Sequence, residues 1–305
     1  MGLNLESIPE LPTESHPFFL LPERRAHISD GNGGELQITY RETGSGPAVF
    51  LLHGPWTTAL TFRHLIEPLK GDFRLIMPEL YDPQTPGKEC PAGLRPEALA
   101  AFFAGLFAAL SEEPPLVVAH AESGLAGLYL AVTRPGCLRS LITVGTAVTL
   151  PFFLRIKGHL HKGPRFAARL ARSGFKQPVQ AALAMLDYAD PTVFSRQEIR
   201  NLARLWASLP AARGTASALA ATRSPAYRRK VTEALQAAAA RGAKDLPPVK
   251  MIHGSRDRLA PPSQGQELSR LLTGSELLVA EQSGGTVQVE QANWLARVIR
   301  SAGGK

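Results

Sequence analysis

Cysteine is scarce in this chain: Cys90 and Cys137 are the only two among 305 residues. Two so irregularly placed make neither a disulfide framework nor a metal site, and they read as small side chains packed in or beside the core. Long apolar runs are missing as well. Nothing approaches the ~18 consecutive apolar residues of a membrane-spanning helix. The opening stretch, MGLNLESIPELPTESHPFF, lacks the basic segment followed by an apolar one that marks a secretory signal. A cytoplasmic protein is expected, with no resident cofactor or metal. Histidine is absent after His253, a gap that bears on the chemistry below.

Acidic residues are rare in one part of the chain. Residues 151–245 hold 17 Lys and Arg against 5 Asp and Glu, and the rest of the chain holds 17 against 21, so the net charge of +8 belongs to one segment. Residues 155–176, RIKGHLHKGPRFAARLARSGFK, carry seven basic side chains and no acid. Phe152, Ile156 and Leu160 recur at helical spacing, with Phe166 and Leu170 repeating it after Pro164, so an apolar face is separable from a basic one. One reading is a lid that meets an anionic surface such as a membrane periphery or an acidic partner. The other makes the apolar face the ceiling of a pocket and the charges a solvated exterior. No interleaved aromatic platform accompanies the charge, and no nucleic-acid partner is expected.

Elsewhere the chain alternates two kinds of pattern. Period-two alternation in GELQITYRET (34–43), after the turn residues DGNGG, predicts a hairpin strand. Short continuous apolar runs follow at 48–54, 73–80, 115–120, 140–145, 249–254 and 276–281, which suits strands covered on both faces of a parallel sheet. Helical patterns fall between them at 58–70, 95–111, 123–134, 262–272 and 287–301. This order predicts an α/β class fold, doubly wound around a mostly parallel sheet. The rhythm breaks from 149 to 245, where only helical segments punctuated by proline occur. The predicted organisation is an N-terminal extension (1–25), a first core part (26–148), an inserted basic helical cap (149–245) and a second core part (246–305). A cap placed there would roof the crevice outside the carboxyl ends of the strands, where such sheets bind ligands.

Three stretches carry chemistry. GSGPAVFLLHGPWTTALTFRHLIEPL contains a His53-Gly54 pair directly after a strand. VVAHAESG leads from a strand into a helix through a corner of small residues, and PPVKMIHGSRDRLAPP ends a later strand with Asp257. In this order and spacing the chain resembles the α/β-hydrolase fold family from about residue 34 to about 301. The resemblance implies an oxyanion loop at His53-Gly54-Pro55-Trp56, a nucleophile elbow at Ala119–Ser123, and an acid at Asp257.

The resemblance breaks at two positions. The elbow template, small-x-nucleophile-x-small, puts Ala121 at the apex, where a methyl group replaces the attacking hydroxyl. A second register would make Ser123 the nucleophile, but its flanking Leu125 is too large for the close helix–strand approach. The family carries its base as a His in a pattern like Gly-x-Gly-His-x-x-x-x-Glu. The matching stretch, EQSGGTVQVEQANWL, has Gly285 at that place and keeps Glu290. His253 ends an apolar strand and reads as a packed, hydrogen-bonded side chain. Without an imidazole to orient, Asp257 would be paired with Arg256 or Arg258, hydrated, protonated, or used to cap the helix that starts near Pro262.

The acceptor side of the pattern is retained. The backbone N–H of Glu122 and one from Trp56 would form a two-donor anion hole, since Pro55 has no N–H to give. Trp56 and Glu122 are expected to face the pocket, together with His53, Gly54, Pro55 and Ala121. A carboxylate under an apolar roof could have a raised pKa and move protons, which makes Glu122 and Asp257 the candidate catalytic residues. Alternatively Glu122 turns to solvent or bonds Arg63 or His64. Three functions are compatible with this pattern. The first is a non-hydrolytic protein that binds an apolar or amphipathic small molecule, or a partner, between core and cap. The second is a lyase, isomerase or cyclase that uses the anion hole and a carboxylate. The third is residual hydrolysis by water that Asp257 or Glu122 polarises.

Overall fold

The computed structural model describes residues 17–29, 34–55, 57–80, 95–149, 188–189, 221–242, 244–272 and 274–304. The basic stretch 155–176, Cys90 and Trp56 lie outside the described residues, and so does most of the predicted cap. Cys137 is half-buried and unbridged. No helix among the described residues is long and apolar enough to cross a membrane.

Eight strands form one sheet in the order β1-β2-β4-β3-β5-β6-β7-β8. Strand β1 (Glu23–Ser29) pairs antiparallel with β2 (Glu35–Thr43), which in turn runs antiparallel to β4 (Arg74–Pro78). The hairpin therefore adds an antiparallel edge to a parallel sheet. The first strand begins inside the segment read as an extension, because Ala26 and Ile28 place two apolar side chains in register with Ile38 and Leu36. The other strands are parallel: β3 (Ala48–Leu52), β5 (Leu116–His120), β6 (Ser140–Val144), β7 (Val249–Gly254) and β8 (Glu276–Ala280).

The continuous apolar runs follow from helices on both faces. Phe50, Leu52, Val117, Ala119, Leu141 and Met251 point to one core, while Val49, Leu51, Leu116, Val118, Ile142 and Ile252 point to the other. Alternate residues of each strand thus go to opposite faces, and both are buried. On the first face lie α3 (Pro96–Leu110), α4 (Glu122–Thr133) and α5 (Pro225–Ala240). On the second face a short α1 (Pro17–Leu20) contributes Phe18, α2 (Arg63–Leu69) follows a 3-10 turn at Ala59–Phe62, and α8 (Ala292–Gly303) adds Leu295, Ala296 and Ile299.

Helix boundaries have local causes. In α5 the Ser224 hydroxyl accepts the Tyr227 N–H at 3.1 Å and Pro225 opens the first turn. This helix comes from the segment read as cap, yet Val231, Leu235 and Ala238 pack into the core beside α4. At the other end of the sheet α6 (Pro262–Leu271) follows β7, and a one-turn α7 (Val287–Glu290) precedes α8. Strands β3 and β5 are neighbours whose following helices, α2 and α4, lie on opposite faces. That is the switch point of the sheet, and it opens a crevice at their carboxyl ends.

Candidate active site

The corner after β5 is a strained turn. Ala121 has φ 53 and ψ −124, a backbone that side-chain-bearing residues rarely adopt. Its N–H donates to the Val144 carbonyl at 2.8 Å, and its own carbonyl accepts from the Gly124 N–H at 3.0 Å and the Thr146 hydroxyl at 3.1 Å. These bonds fix the turn from β6 and from the first turn of α4. Close packing explains the small residues: a Cβ on Gly124 would lie 2.0 Å from Thr146 Oγ1. The apex of this elbow is therefore Ala121, in the register predicted from its small neighbours. Ser123 is fully buried and donates to the His53 carbonyl at 2.6 Å, so it ties the β3 loop to the elbow.

His53, Gly54 and Pro55 are all buried beside this turn. The His53 ring lies with Nδ1 2.8 Å from the Gly54 carbonyl, while Nε2 accepts the Leu80 N–H at 2.9 Å. That pattern requires the proton on Nδ1 and a neutral ring. Burial, more than any other influence, holds its pKa down at about 4. His53 Nε2 also lies 3.5 Å from a Glu79 carboxylate oxygen, but a neutral ring makes this contact no ion pair. The ring thus ties its loop to Leu80, just past the end of β4. Gly54 does border the elbow: a Cβ there would stand 3.1 Å from Ala121 Cβ and 3.6 Å from Glu122 Oε2.

Glu122 does not turn to solvent and does not bond Arg63 or His64. Arg63 is buried with its guanidinium on the Leu60 carbonyl at 3.2 Å. Glu122 is 5% exposed, and its Oε1 accepts from Arg223 Nε at 2.7 Å. Burial alone would raise its pKa, yet Arg223, the more distant Arg228 and its own backbone amide together hold the carboxyl below the ordinary glutamate range. The expected acid with a raised pKa is thus an ionised, paired carboxylate. Its other oxygen, Oε2, is buried and has no hydrogen-bond partner among the described residues. Of the two donors expected for the anion hole, Trp56 is outside the described residues. Arg223 was not among the residues that sequence reading singled out. Nothing in its surroundings, ATRSPAY, distinguishes it from a solvated arginine before a helix cap.

Asp257 sits across the site at the end of β7 and is 5% exposed. Its Oδ1 accepts the backbone N–H groups of Leu259 at 2.8 Å and Ala260 at 2.7 Å, so it closes the turn before α6. It does not cap α6 itself, whose N-cap is Pro261. Neither Arg256 nor Arg258 pairs with it; Oδ2 is buried with no hydrogen-bond partner among the described residues. Burial pushes its pKa up to about 6, the nearby Glu290 adding to the effect and the two amides opposing it. A Cβ on Gly145 would lie 3.5 Å from Asp257 Oδ2 and 2.9 Å from the Gly285 carbonyl. Gly285 and Asp257 are thus brought to the same place.

The loop carrying Gly285 is held by Glu290, whose Oε2 accepts the Gly284 N–H at 2.7 Å and the Ser283 hydroxyl at 3.2 Å. A Cβ on Gly254 would meet the Gly284 carbonyl at 2.0 Å, so only glycine lets β7 and this loop approach so closely. His120, just before the apex, is buried. Burial holds its pKa at about 4. His253 points elsewhere, with Nδ1 2.8 Å from the Ala260 carbonyl, the packed role expected of it. Among the described residues no three His, Cys, Asp or Glu side chains are grouped so as to hold a metal ion.

No protein-family model matches the chain. A segment of 76 residues is 36% identical to "Putative carbamate hydrolase RutD" of Pantoea ananatis, covering 25% of this chain and 28% of that protein. A longer match of 242 residues is 28% identical to the magnesium-chelatase 30 kDa subunit of Rhodobacter capsulatus, covering 74% of this chain and 76% of the relative. Among solved structures, a thermophilic esterase from Thermogutta terrifontis superposes with a TM-score of 0.70 at 23% identity, over 91% of this chain and 97% of the esterase. With the sheet order, the strained turn after β5 and the loop after β3, this architecture makes the chain a protein of the α/β-hydrolase fold.

Proposed function

We propose that the protein is a non-hydrolytic member of this fold, with a degenerate triad, that binds an apolar or amphipathic small molecule, or a partner, between the sheet and the segment 149–245. The observation that carries the reading is the elbow itself. Its strained backbone is built in full, but the side chain it presents is the methyl group of Ala121, and the position facing Asp257 is Gly285. A methyl group cannot attack a carbonyl, and no downstream imidazole is present to take a proton. The Glu122 carboxylate beside the anion hole would further repel a developing oxyanion. The Rhodobacter capsulatus relative is named as a subunit of a magnesium chelatase and not as an esterase.

The test is hydrolysis of aryl esters and thioesters of increasing chain length by the purified protein, alongside native mass spectrometry of the same preparation. The expected result is a rate at buffer background for every substrate and a co-purified small molecule or partner. Turnover that Asp257→Asn or Glu122→Gln removes would overturn it.

One observation favours a second reading, a lyase, isomerase or cyclase. Asp257, buried and with a pKa of about 6, is suited to giving or taking a proton near neutral pH. Glu122, held ionised by Arg223, is not. In that case, substrate turnover without ester cleavage would titrate with a group near that value and vanish in Asp257→Asn.

A further inference from the structure

The sheet ends differently at its two edges. Strand β1 carries Glu23, Arg24, Arg25 and His27, all exposed, and this charge guards its edge against pairing with another strand. Strand β8, with the sequence ELLVA, has no such guard. Its one charge, Glu276, is paired with Lys250 of the neighbouring β7. Val279 is one of two exposed large apolar side chains among the described residues, at 37% exposure, and Leu277 and Leu278 beside it are only half-buried.

Backbone direction is a second, independent observation. The Ala280 carbonyl accepts the Ser255 N–H at 2.9 Å, so the backbone groups of Ala280 face β7. Alternation along the strand turns those of Leu278 and Glu276 the same way. The N–H and C=O groups of Leu277 and Val279 therefore point out of the sheet, where no described strand lies.

We infer that β8 is a self-association edge, where a second copy of this chain pairs antiparallel across a twofold axis at Leu278. In that register Leu277 and the partner's Val279 exchange two backbone hydrogen bonds, and Val279 and the partner's Leu277 exchange two more. Both outward donors and both outward acceptors of each copy are thereby used, as an isologous interface requires. The three central positions set apolar side chains opposite one another, and Glu276 falls opposite the partner's Ala280, so no like charges are opposed. The flanks are complementary as well. Because α6 runs back towards the amino end of β8, its exposed Arg270 is carried towards the partner's Glu281, which is exposed just past the carboxyl end of the strand. That pairing of charges occurs twice across the axis. A strand that is antiparallel to itself and complementary to itself selects a second copy as the occupant.

Sedimentation velocity of the full chain, at concentrations from about 1 to about 200 μM, tests this. The expected result is a monomer–dimer equilibrium that shifts with concentration. Val279→Lys, whose added charges would lie diagonally across the axis, should weaken the dimer at least about tenfold with an unchanged circular dichroism spectrum. Leu277→Pro removes an N–H that β7 does not use, and should have the same effect. Cross-linking reads the register. In a chain carrying Cys90→Ser and Cys137→Ser, Leu278→Cys should form an intermolecular disulfide under mild oxidation. Strand partners that share no hydrogen bond hold their Cα atoms about 4.5 Å apart, within disulfide range. Glu276→Cys, about 14 Å from its copy in this register, should not cross-link. A monomer throughout the concentration range, a dimer that Val279→Lys leaves unchanged, or a Leu278→Cys chain that cross-links no better than Glu276→Cys would each overturn the proposal.

Discussion

Arg223 Nε donates to Glu122 Oε1 at 2.7 Å, joining the turn before α5 to the first residue of α4 immediately beside the elbow. Both side chains are nearly buried, at 12% and 6% exposure. In such surroundings the loss of one partner is worse than the loss of both.

Arg223→Met should therefore cost about 3–5 kcal/mol near neutral pH, because it leaves the Glu122 carboxylate buried beside an apolar group. Adding Glu122→Gln should recover most of that loss. Urea denaturation of both single variants and the double variant gives the coupling. The sign with pH follows from the lowered folded-state pKa of Glu122. The stabilisation is complete above the ordinary glutamate value and fades as acid takes pH down through the lowered one. The double variant should lack this acid-induced loss.

Asp257 behaves oppositely. Its pKa rises from 3.8 to about 6 on folding, so the folded protein favours the protonated form. Stability should fall as pH rises from about 4 to about 6 and stay level above, by roughly 3 kcal/mol for a shift of this size. Asp257→Asn keeps an oxygen for the Leu259 and Ala260 amides and carries no charge. The variant should match the wild type near pH 4 and exceed it in stability by about 1–3 kcal/mol near pH 8. Thermal melts across that range would show the curves diverging; parallel curves would mean that Asp257 is ionised without penalty in the fold.

Much of this framework was legible in the sequence because it rests on short-range patterns. The continuous apolar runs marked β3 to β8, since helices cover both faces of the sheet, and the spacing of Ala119, Ala121 and Ser123 placed the elbow. What sequence could not give was pairing across long separations. Arg223 meets Glu122 only because α5 leaves the inserted segment and packs beside α4, and nothing local to either residue records that approach. The direction of the Glu122 shift was missed for the same reason: burial was foreseeable, the arginine was not. A cap on α6 was one of the alternatives for Asp257, whereas its carboxyl closes the turn just before that helix, a difference that only backbone geometry decides.

The strain at Ala121 can be measured directly. A residue with φ 53 and ψ −124 has a conformational cost on the order of 1–3 kcal/mol, which glycine largely avoids. Glycine loses about 0.4–1 kcal/mol to its freer unfolded chain. Ala121→Gly should thus be more stable by about 1 kcal/mol, and Ala121→Val, with a branched Cβ beside Gly54, less stable by about 2 kcal/mol or more. A denaturation midpoint for Ala121→Gly below that of the wild type would show that the turn is not strained as its angles indicate.

The same turn bears on whether hydrolysis can be installed. Ala121→Ser puts a hydroxyl at the apex, but with no base to take its proton, the single variant should leave ester hydrolysis at background. Gly285→His alone supplies an imidazole with nothing to activate. Position 285 accepts a side chain as far as its backbone is concerned, since its φ lies outside the left-handed region. Asp257 Oδ1 is fixed by the turn, and Oδ2, without a partner among the described residues, is the oxygen left to receive the imidazole N–H. The double variant should therefore hydrolyse aryl esters at least about tenfold faster than either single variant, a non-additive gain expected of groups that act as a unit. The remaining obstacle is Glu122, whose ionised carboxylate beside the elbow would repel a developing oxyanion. Replacing it by glutamine in the double variant removes that charge and should raise the rate further. A double variant still at background, with a fold unchanged by circular dichroism, would mean that Asp257 does not orient an imidazole at position 285.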